Sequence, residues 1–246
     1  MKLEREWATF LPPARFAYRY RWRMLGWLLE GHVFLREAFY RAWPKAVRRE
    51  LAVNERIVEV PFVLRALDLV PGSRILDVGS QWSVLPLQLA ALGYRTVASD
   101  LAGLAIRGSG PEVVQADIRM APFRSGSFDA ATMVSTLEHI GIGFYDRRGA
   151  TNADAEVMKE LRRVVKPRGL VVVTVPFGRS GVGPLQRSYD RPRLNAVTAG
   201  WTWEIARFFK RNGPGWVEVP EGQAAAADSA LQTNAVAALR LRRPES

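Results

Sequence analysis

The stretch RILDVGSQWSVLPLQLAALG, residues 74–93, decides how this chain folds. An apolar run closes on Asp77-Val78-Gly79, and Leu85, Leu89 and Leu92 then recur at helical spacing up to Gly93, a helix stop. Strand, glycine turn and helix in that order open a nucleotide-binding crossover unit. A dinucleotide loop would set its second and third glycines near positions 81 and 83. This chain has Gln81 and Ser83 there.

Outward from this unit the texture repeats. YRTVASD (94–100), VVQAD (113–117), FDAATMVST (128–136) and LVVVTVPFG (170–178) are short apolar runs that read as strands. A helix is expected over 55–69, with Pro61 near its start or at a kink. Another should begin after 151–154, where Thr151 and Asp154 form a capping box, with Val157, Leu161, Val164 and Val165 on its apolar face. KPRG at 166–169 ends that helix and leads into a strand. WTWEIARFFK (201–210) and NAVAALRLRR (234–243) are two further strands, expected to form an antiparallel hairpin beside the parallel ones. Alternating strands and helices predict an α/β fold with a mostly parallel sheet.

Three successive strands end in an acid: Asp77, Asp100 and Asp117. Open α/β sheets bind ligands beyond the carboxyl ends of their strands. An acid after the second strand is placed to accept hydrogen bonds from ribose hydroxyls, and Asp117 to accept from an adenine amino group. Negative charge opposes a pyrophosphate, which needs bare backbone N–H groups. S-adenosylmethionine (SAM) has no phosphate and carries a sulfonium and an ammonium. Gln81 and Ser83 therefore weaken the dinucleotide reading more than the SAM reading.

With these motifs in order, the chain resembles the class I SAM-dependent methyltransferases over residues 55–180. LDVGS matches their first motif, Asp100 their ribose-binding acid, and QAD with Ile118 their adenine region. FDAATMVSTLEHIG matches the fourth strand and its loop, and LRRVVKPRGLVVVTVP the fifth helix–strand unit. The resemblance implies a Rossmann-like, seven-stranded, mostly parallel sheet with its last strand reversed. It implies SAM as cofactor, held by Asp77, Gly79, Ser80, Asp100, Leu101, Asp117, Ile118 and Ser135. EHIGIGFYD, VPFG and QRSYD further resemble an uncharacterised bacterial branch associated with surface-polysaccharide or other glycan biosynthesis.

His139 and Glu138 follow the fourth strand, where this fold presents groups to a methyl acceptor. A hydroxyl acceptor must lose a proton, and a histidine suits that task near neutral pH. His139 is the candidate base and Glu138 its orienting partner; packing of the ring against loop or cofactor is the other reading. Tyr145, Asp146, Arg187 and Tyr189 are candidates for substrate contact, against an ordinary surface role.

Composition narrows the chemistry. The chain has no cysteine, which excludes disulfides and thiolate chemistry, and only His32 and His139, which excludes a multi-histidine metal centre. The net charge is +11. Residues 15–49 hold nine Arg/Lys against Glu30 and Glu37, with nine aromatics among them. This N-terminal helical extension (1–54), preceding a methyltransferase domain (55–246), reads as cover for the main domain, as a peripheral membrane contact, or as a nucleic-acid surface. No signal-peptide core opens the sequence, so a cytoplasmic protein is expected, with the inner face of the membrane as the alternative.

The functional expectation is SAM-dependent O-methylation of a small-molecule or glycan acceptor. An RNA methyltransferase and a catalytically inactive methyltransferase-fold binding module are the alternatives.

Overall fold

A computed structural model describes residues 53–81, 83–103, 110–143 and 152–245. The extension 1–54, including the basic segment 15–49, falls outside them apart from its last two residues, as do Tyr145, Asp146 and Thr151.

Five strands run parallel: β1 (Arg74–Val78), β2 (Arg95–Asp100), β3 (Glu112–Gln115), β4 (Phe128–Val134) and β5 (Val165–Pro176). A small hairpin follows, β6 (Gly181–Val182) with β7 (Arg187–Ser188). Then come β8 (Thr202–Asn212), β9 (Gly215–Val219) and β10 (Ala235–Arg242). The main sheet has the order β3-β2-β1-β4-β5-β10-β8-β9. β10 inserts between β5 and β8 and runs antiparallel to both, so the last strand is reversed.

The two C-terminal strands read from the sequence are neighbours, but they are not a hairpin. β8 turns instead into β9, an eighth strand, through Asn212-Gly213-Pro214-Gly215 with Gly213 at φ +57°. The chain returns to β10 only after a short helix, Glu221–Ala225.

The central strands β1, β2, β4, β5 and β10 are buried on both faces over most of their length, which explains why they are nearly continuous apolar runs. Ile75, Ala130, Val134, Leu170 and Val172 meet helix α1 (Arg56–Leu67) through Val63, Ala66 and Leu67, and helix α2 (Leu85–Ala91) through Leu85 and Leu89. On the other face Leu76, Ala131, Met133, Val171 and Val173 meet helix α3 (Ala153–Val164) through Val157, Met158, Leu161 and Val164. Helix α4 (Arg191–Val197) adds Leu194 and Val197 to that layer.

Three local expectations need correction. Leu92 is 52% exposed, because α2 ends at Ala91 before a third turn can carry it onto the sheet. Gly93 does end the helix, at φ +86° with its N–H on the Ala90 carbonyl at 2.9 Å. Helix α3 takes Asn152 as its N-cap, with no side-chain cap, while Thr151 lies outside the described residues; the buried Asp154 carboxylate takes an ion pair from Arg193 Nη2 at 2.7 and 2.8 Å. KPRG is an irregularity in the β4–β5 ladder, whose register jumps from Phe128↔Val165 to Ala130↔Leu170. Gly169 allows it: a Cβ there would lie 2.8 Å from the Asp129 carbonyl.

Candidate functional site

From β1 the chain works outward to β2 and β3, then crosses back to β4 on the other side of β1. The crevice beyond the ends of β1 and β4 is therefore the place this topology leaves for a ligand. A cavity of about 310 Å3 lies there, lined among others by Arg56, Asp77, Gly79, Gln81, Asp100, Leu101, Asp117, Ile118, Ser135, Thr136 and His139.

Its base is the turn at Gly79. The residue sits at φ +82°, and a Cβ would lie 2.1 Å from Thr136 Oγ1. Glycine is required twice over, for the left-handed backbone and for close approach of the β4 loop. Beneath it Asp77 is 2% exposed. Its carboxylate accepts from Thr132 Oγ1 at 2.6 Å and from Ser80 Oγ at 2.7 Å. The first bond follows from strand register, which sets Asp77 beside Thr132. Burial pushes this carboxyl up to about 6, against the pull of both hydroxyls. Ser80, itself buried, braces Asp77 and is not part of the lining.

Asp100 ends β2 and closes the loop. Its Oδ2 accepts from the Gln81 backbone N–H at 3.0 Å, and its Oδ1 from Ala102 N–H at 2.9 Å. Gly79 N–H and Ser80 N–H donate to the Ser99 carbonyl at 2.9 and 3.4 Å, and Ser83 N–H to the Ser80 carbonyl at 3.0 Å. Ser83 Oγ in turn accepts from Leu85 N–H at 3.1 Å, where α2 begins. The loop amides at 79, 80, 81 and 83 thus all donate within the protein. Among the described loop residues a pyrophosphate would find no cradle of bare N–H groups, and Gln81 and Ser83 both line the cavity.

Leu101, 46% exposed, and Ile118, 6% exposed, give the adjoining wall an apolar character. Asp117 caps the 3₁₀ turn Ile118–Met120 and holds Arg119, with Arg119 Nη2 donating to Oδ2 at 2.6 Å. Arg119 also lines the cavity, and its charge partly neutralises the acid that the sequence offers to an adenine amino group.

On the opposite side Ser135 has φ +41°, a left-handed conformation that a serine rarely adopts. Its N–H reaches Thr174 Oγ1 at 3.1 Å and its Oγ donates to Glu59 Oε1 at 2.7 Å. Glu59 is fully buried and also receives Arg56 Nη1 at 2.6 Å. Burial raises the Glu59 carboxyl, opposed by Arg56 and the Ser135 hydroxyl. Arg56 and Glu59 were missed as site residues. The signal was present: a glutamate inside the apolar run RIVEVPFVL, three residues after an arginine.

Glu138 and His139 stand in the 3₁₀ turn Leu137–His139. His139 lines the cavity, with Nδ1 2.6 Å from the Leu185 carbonyl. Burial lowers its pKa, with that carbonyl acting in the opposite sense, so the ring is neutral near pH 7. The Glu138 carboxyl is 1% exposed and lies behind the lining, Oε1 at 3.8 Å from His139 Nε2. That exceeds hydrogen-bonding distance. Burial drives Glu138 well above the usual carboxylate range, and Oε2 has no partner among the described residues.

Arg187 and Tyr189 do not line the cavity. Tyr189 is fully buried, its hydroxyl 3.2 Å from Asp154 Oδ2, and Arg187 Nη1 is 3.6 Å from the same oxygen. Burial and the Asp154 charge raise the tyrosine's pKa. These residues form an internal brace, and the polar tail of QRSYD gave no hint of their burial.

Residues 76–173 match the methyltransferase domain family. Over 110 residues the chain is 34% identical to a demethylmenaquinone methyltransferase of Corynebacterium glutamicum, covering 44% of this chain and 43% of the relative. It is 38% identical over 93 residues to a ubiquinone biosynthesis O-methyltransferase of Xanthomonas oryzae, covering 34% of this chain and 38% of the relative. The matches thus span less than half the length of these two curated relatives. Among solved structures, the 1,6-didemethyltoxoflavin-N1-methyltransferase of Burkholderia thailandensis superimposes with a TM-score of 0.55 at 18% identity, covering 87% of this chain and 89% of that one. Residues 76–173 carry a methyltransferase domain, and the fold around them is that of the class I SAM-dependent methyltransferases.

For a methyltransferase of this class the lining fits its cofactor in kind. Asp77 and Asp100 supply negative charge and acceptors, Leu101 and Ile118 supply apolar surface, and the Gly79 turn leaves the base of the cavity clear. Arg56 brings a cation to the same cavity, suited to a carboxylate.

Proposed function

We propose that this chain binds SAM in the cavity at the ends of β1, β2 and β4 and transfers its methyl group to a hydroxyl of a small organic acceptor. The observation carrying the reading is the loop whose amides at 79, 80, 81 and 83 are engaged internally while carboxylates from successive strand ends line the cavity. That arrangement accepts a cationic nucleoside and rejects a phosphate.

Bound SAM supplies a methyl carbon made electrophilic by its sulfonium. In this reading Asp100 accepts from the ribose hydroxyls, Asp77 offsets positive charge, and Asp117 with the Ile118 backbone faces the base. The Gly79 turn and Ser135 shape the floor. His139, neutral and at the cavity wall, takes the proton of the acceptor hydroxyl, so that the oxygen attacks as an alkoxide or phenoxide. The remaining work is alignment, which the rigid strand ends provide. Glu138, with its carboxyl pushed by burial well above the usual carboxylate range, lies behind His139 and beyond hydrogen-bonding distance of its ring.

Relatives named for menaquinone and ubiquinone support a small organic acceptor in preference to a macromolecule. The branch resemblance supports a sugar hydroxyl as the second acceptor class. Incubation of the full chain with methyl-labelled SAM and two acceptor panels, phenolic and glycan, tests the reading. Label appearing on acceptor oxygen supports it. SAM binding with label on carbon or nitrogen would retire the O-methylation assignment, and failure to bind SAM would retire the reading altogether.

We also propose that residues 15–49 bring the protein to anionic lipid, on the strength of nine basic residues interleaved with nine aromatics. No helix among the described residues is long and apolar enough to cross a membrane. The full chain should co-sediment with anionic vesicles and not with zwitterionic ones, and lose the association as salt rises. Equal pelleting with both vesicle types would dismiss the lipid contact.

A further inference from the structure

His139 is held by a part of the fold remote in sequence. The β6–β7 hairpin pairs Gly181 with Ser188 and Val182 with Arg187, and its tip is closed by Gly183 N–H on the Gln186 carbonyl at 2.8 Å. At that tip the Leu185 carbonyl lies 2.6 Å from His139 Nδ1. A carbonyl oxygen can only accept, so Nδ1 carries the hydrogen and the neutral ring keeps its lone pair on Nε2. The default for an imidazole in water is the other tautomer, with the hydrogen on Nε2.

Two side chains next to Leu185 anchor the tip. Gln186 Nε2 donates to the Ser229 carbonyl at 2.6 Å and to Thr233 Oγ1 at 3.2 Å. Ser229 is itself fixed, its Oγ donating to the Phe177 carbonyl at 2.8 Å and accepting from Ala235 N–H at 3.1 Å. Arg187 is buried, donates to the Ile140 carbonyl at 3.3 Å and pairs with Asp154. It thereby ties the hairpin to the segment that carries His139. Gly183 makes the fit tight, since a Cβ there would lie 2.2 Å from the Ala230 carbonyl.

We propose that the β6–β7 hairpin is a positioning strap, whose Leu185 carbonyl, fixed by Gln186 and Arg187, locks His139 in the Nδ1–H tautomer and so presents Nε2 as the proton-accepting nitrogen. The part of this inference that concerns turnover rests on His139 as the base; the part that concerns the tautomer does not. When Nε2 takes the acceptor's proton, the ring becomes an imidazolium that still donates from Nδ1 to Leu185, and the proton later passes to solvent. The strap then stabilises the charged ring as well as orienting the neutral one. Gln186 and Arg187 are positioning residues that do not touch the acceptor.

The chain has only two histidines, so replacing His32 with Gln leaves one ring to observe by nitrogen NMR of histidine-labelled full-length protein. At pH 8 the expected spectrum has a pyrrole-type signal at Nδ1 and a pyridine-type signal at Nε2. Gly183→Ala, which must displace the tip, and Gln186→Ala, which removes two anchors without adding bulk, should both return the ring toward the Nε2–H form. SAM affinity by calorimetry should stay within about threefold while turnover falls about tenfold or more. An Nε2–H ring in the His32→Gln protein would overturn the proposal, as would a Nδ1–H ring unmoved by both variants. A tautomer change with full turnover would keep the strap and remove His139 as the base.

Discussion

The Asp100 carboxylate holds the Gln81 backbone N–H at 3.0 Å across nineteen positions of sequence, and by doing so closes the first loop against the end of β2. One acid thus shapes the loop and faces the cavity. Asp100→Ala should weaken SAM binding by tenfold or more, since hydrogen bonds to a charged acceptor contribute about 1.5–3 kcal/mol each. Calorimetric titration of both proteins measures it. Unchanged affinity would remove Asp100 from the binding role and leave it as a loop clasp.

Gly79→Ala should destabilise the protein by about 2–4 kcal/mol, combining a left-handed backbone strain with a steric clash on Thr136. The companion change Thr136→Gly removes the clash and leaves the strain. Denaturant unfolding of the two single variants and the double variant should therefore show a combined loss smaller than the sum. Strict additivity would mean that the β1 and β4 loops do not meet there.

Asp77 makes binding and stability respond oppositely to pH. Its folded pKa of about 6 exceeds the usual aspartate value, so the native state holds an extra proton between roughly pH 4 and pH 6. The resulting stability is fully present below the unfolded pKa and is lost as pH rises through 6. Asp77→Asn should therefore raise the melting temperature relative to wild type at pH 8 and not at pH 4.5. Affinity for SAM should instead fall as pH drops through 6 in wild type, because the buried acid then loses its charge, and Asp77→Asn should flatten that dependence. A wild-type affinity constant from pH 5 to pH 8 would contradict the assignment. Comparison with the variant is essential, because Glu59 and Glu138 are also raised.

His139→Ala should lower turnover about 10²–10⁴-fold while SAM affinity changes by less than about threefold. Single-turnover methyl transfer at saturating SAM gives the chemical step directly. Wild-type rates would retire the base.

Asp154→Ala leaves Arg193 and the buried Arg187 without their carboxylate. The expected loss is about 3–5 kcal/mol of unfolding free energy, the range for stripping one partner from a buried ion pair. Urea unfolding reads it, and a loss below about 1 kcal/mol would show that solvent reaches the two guanidinium groups.

Much of the sheet was legible because period and burial leave a strong mark: β1, β2, β4 and β5 are apolar runs with acids or glycines at their ends. β9 escaped because GWVEV is short, half-exposed and carries Glu218, although Asn212-Gly213 announced the turn before it. At the site, Asp77, Gly79, Asp100, Asp117, Ile118, Ser135 and His139 could be placed at strand ends and do meet at one cavity. What sequence could not give is the partner of each polar group. Arg119 on Asp117, Glu59 on Ser135 and Leu185 on His139 are two, 76 and 46 residues away, and the last two depend on how α1 and the hairpin fold back. Arg187 and Tyr189 were misread for the same reason, since their burial comes from Asp154 on another element.

The internally bonded first loop has a kinetic consequence. A phosphate-gripping glycine loop leaves its amides bare for the ligand, whereas here the amides at 79, 80, 81 and 83 already have acceptors. Among the described residues the cofactor meets a wall whose amides are already engaged, so its arrival and departure need not break those hydrogen bonds. Remodelling this wall to grip a dinucleotide would take more than adding glycines at 81 and 83. The bond between Asp100 and Gln81 would first have to be broken.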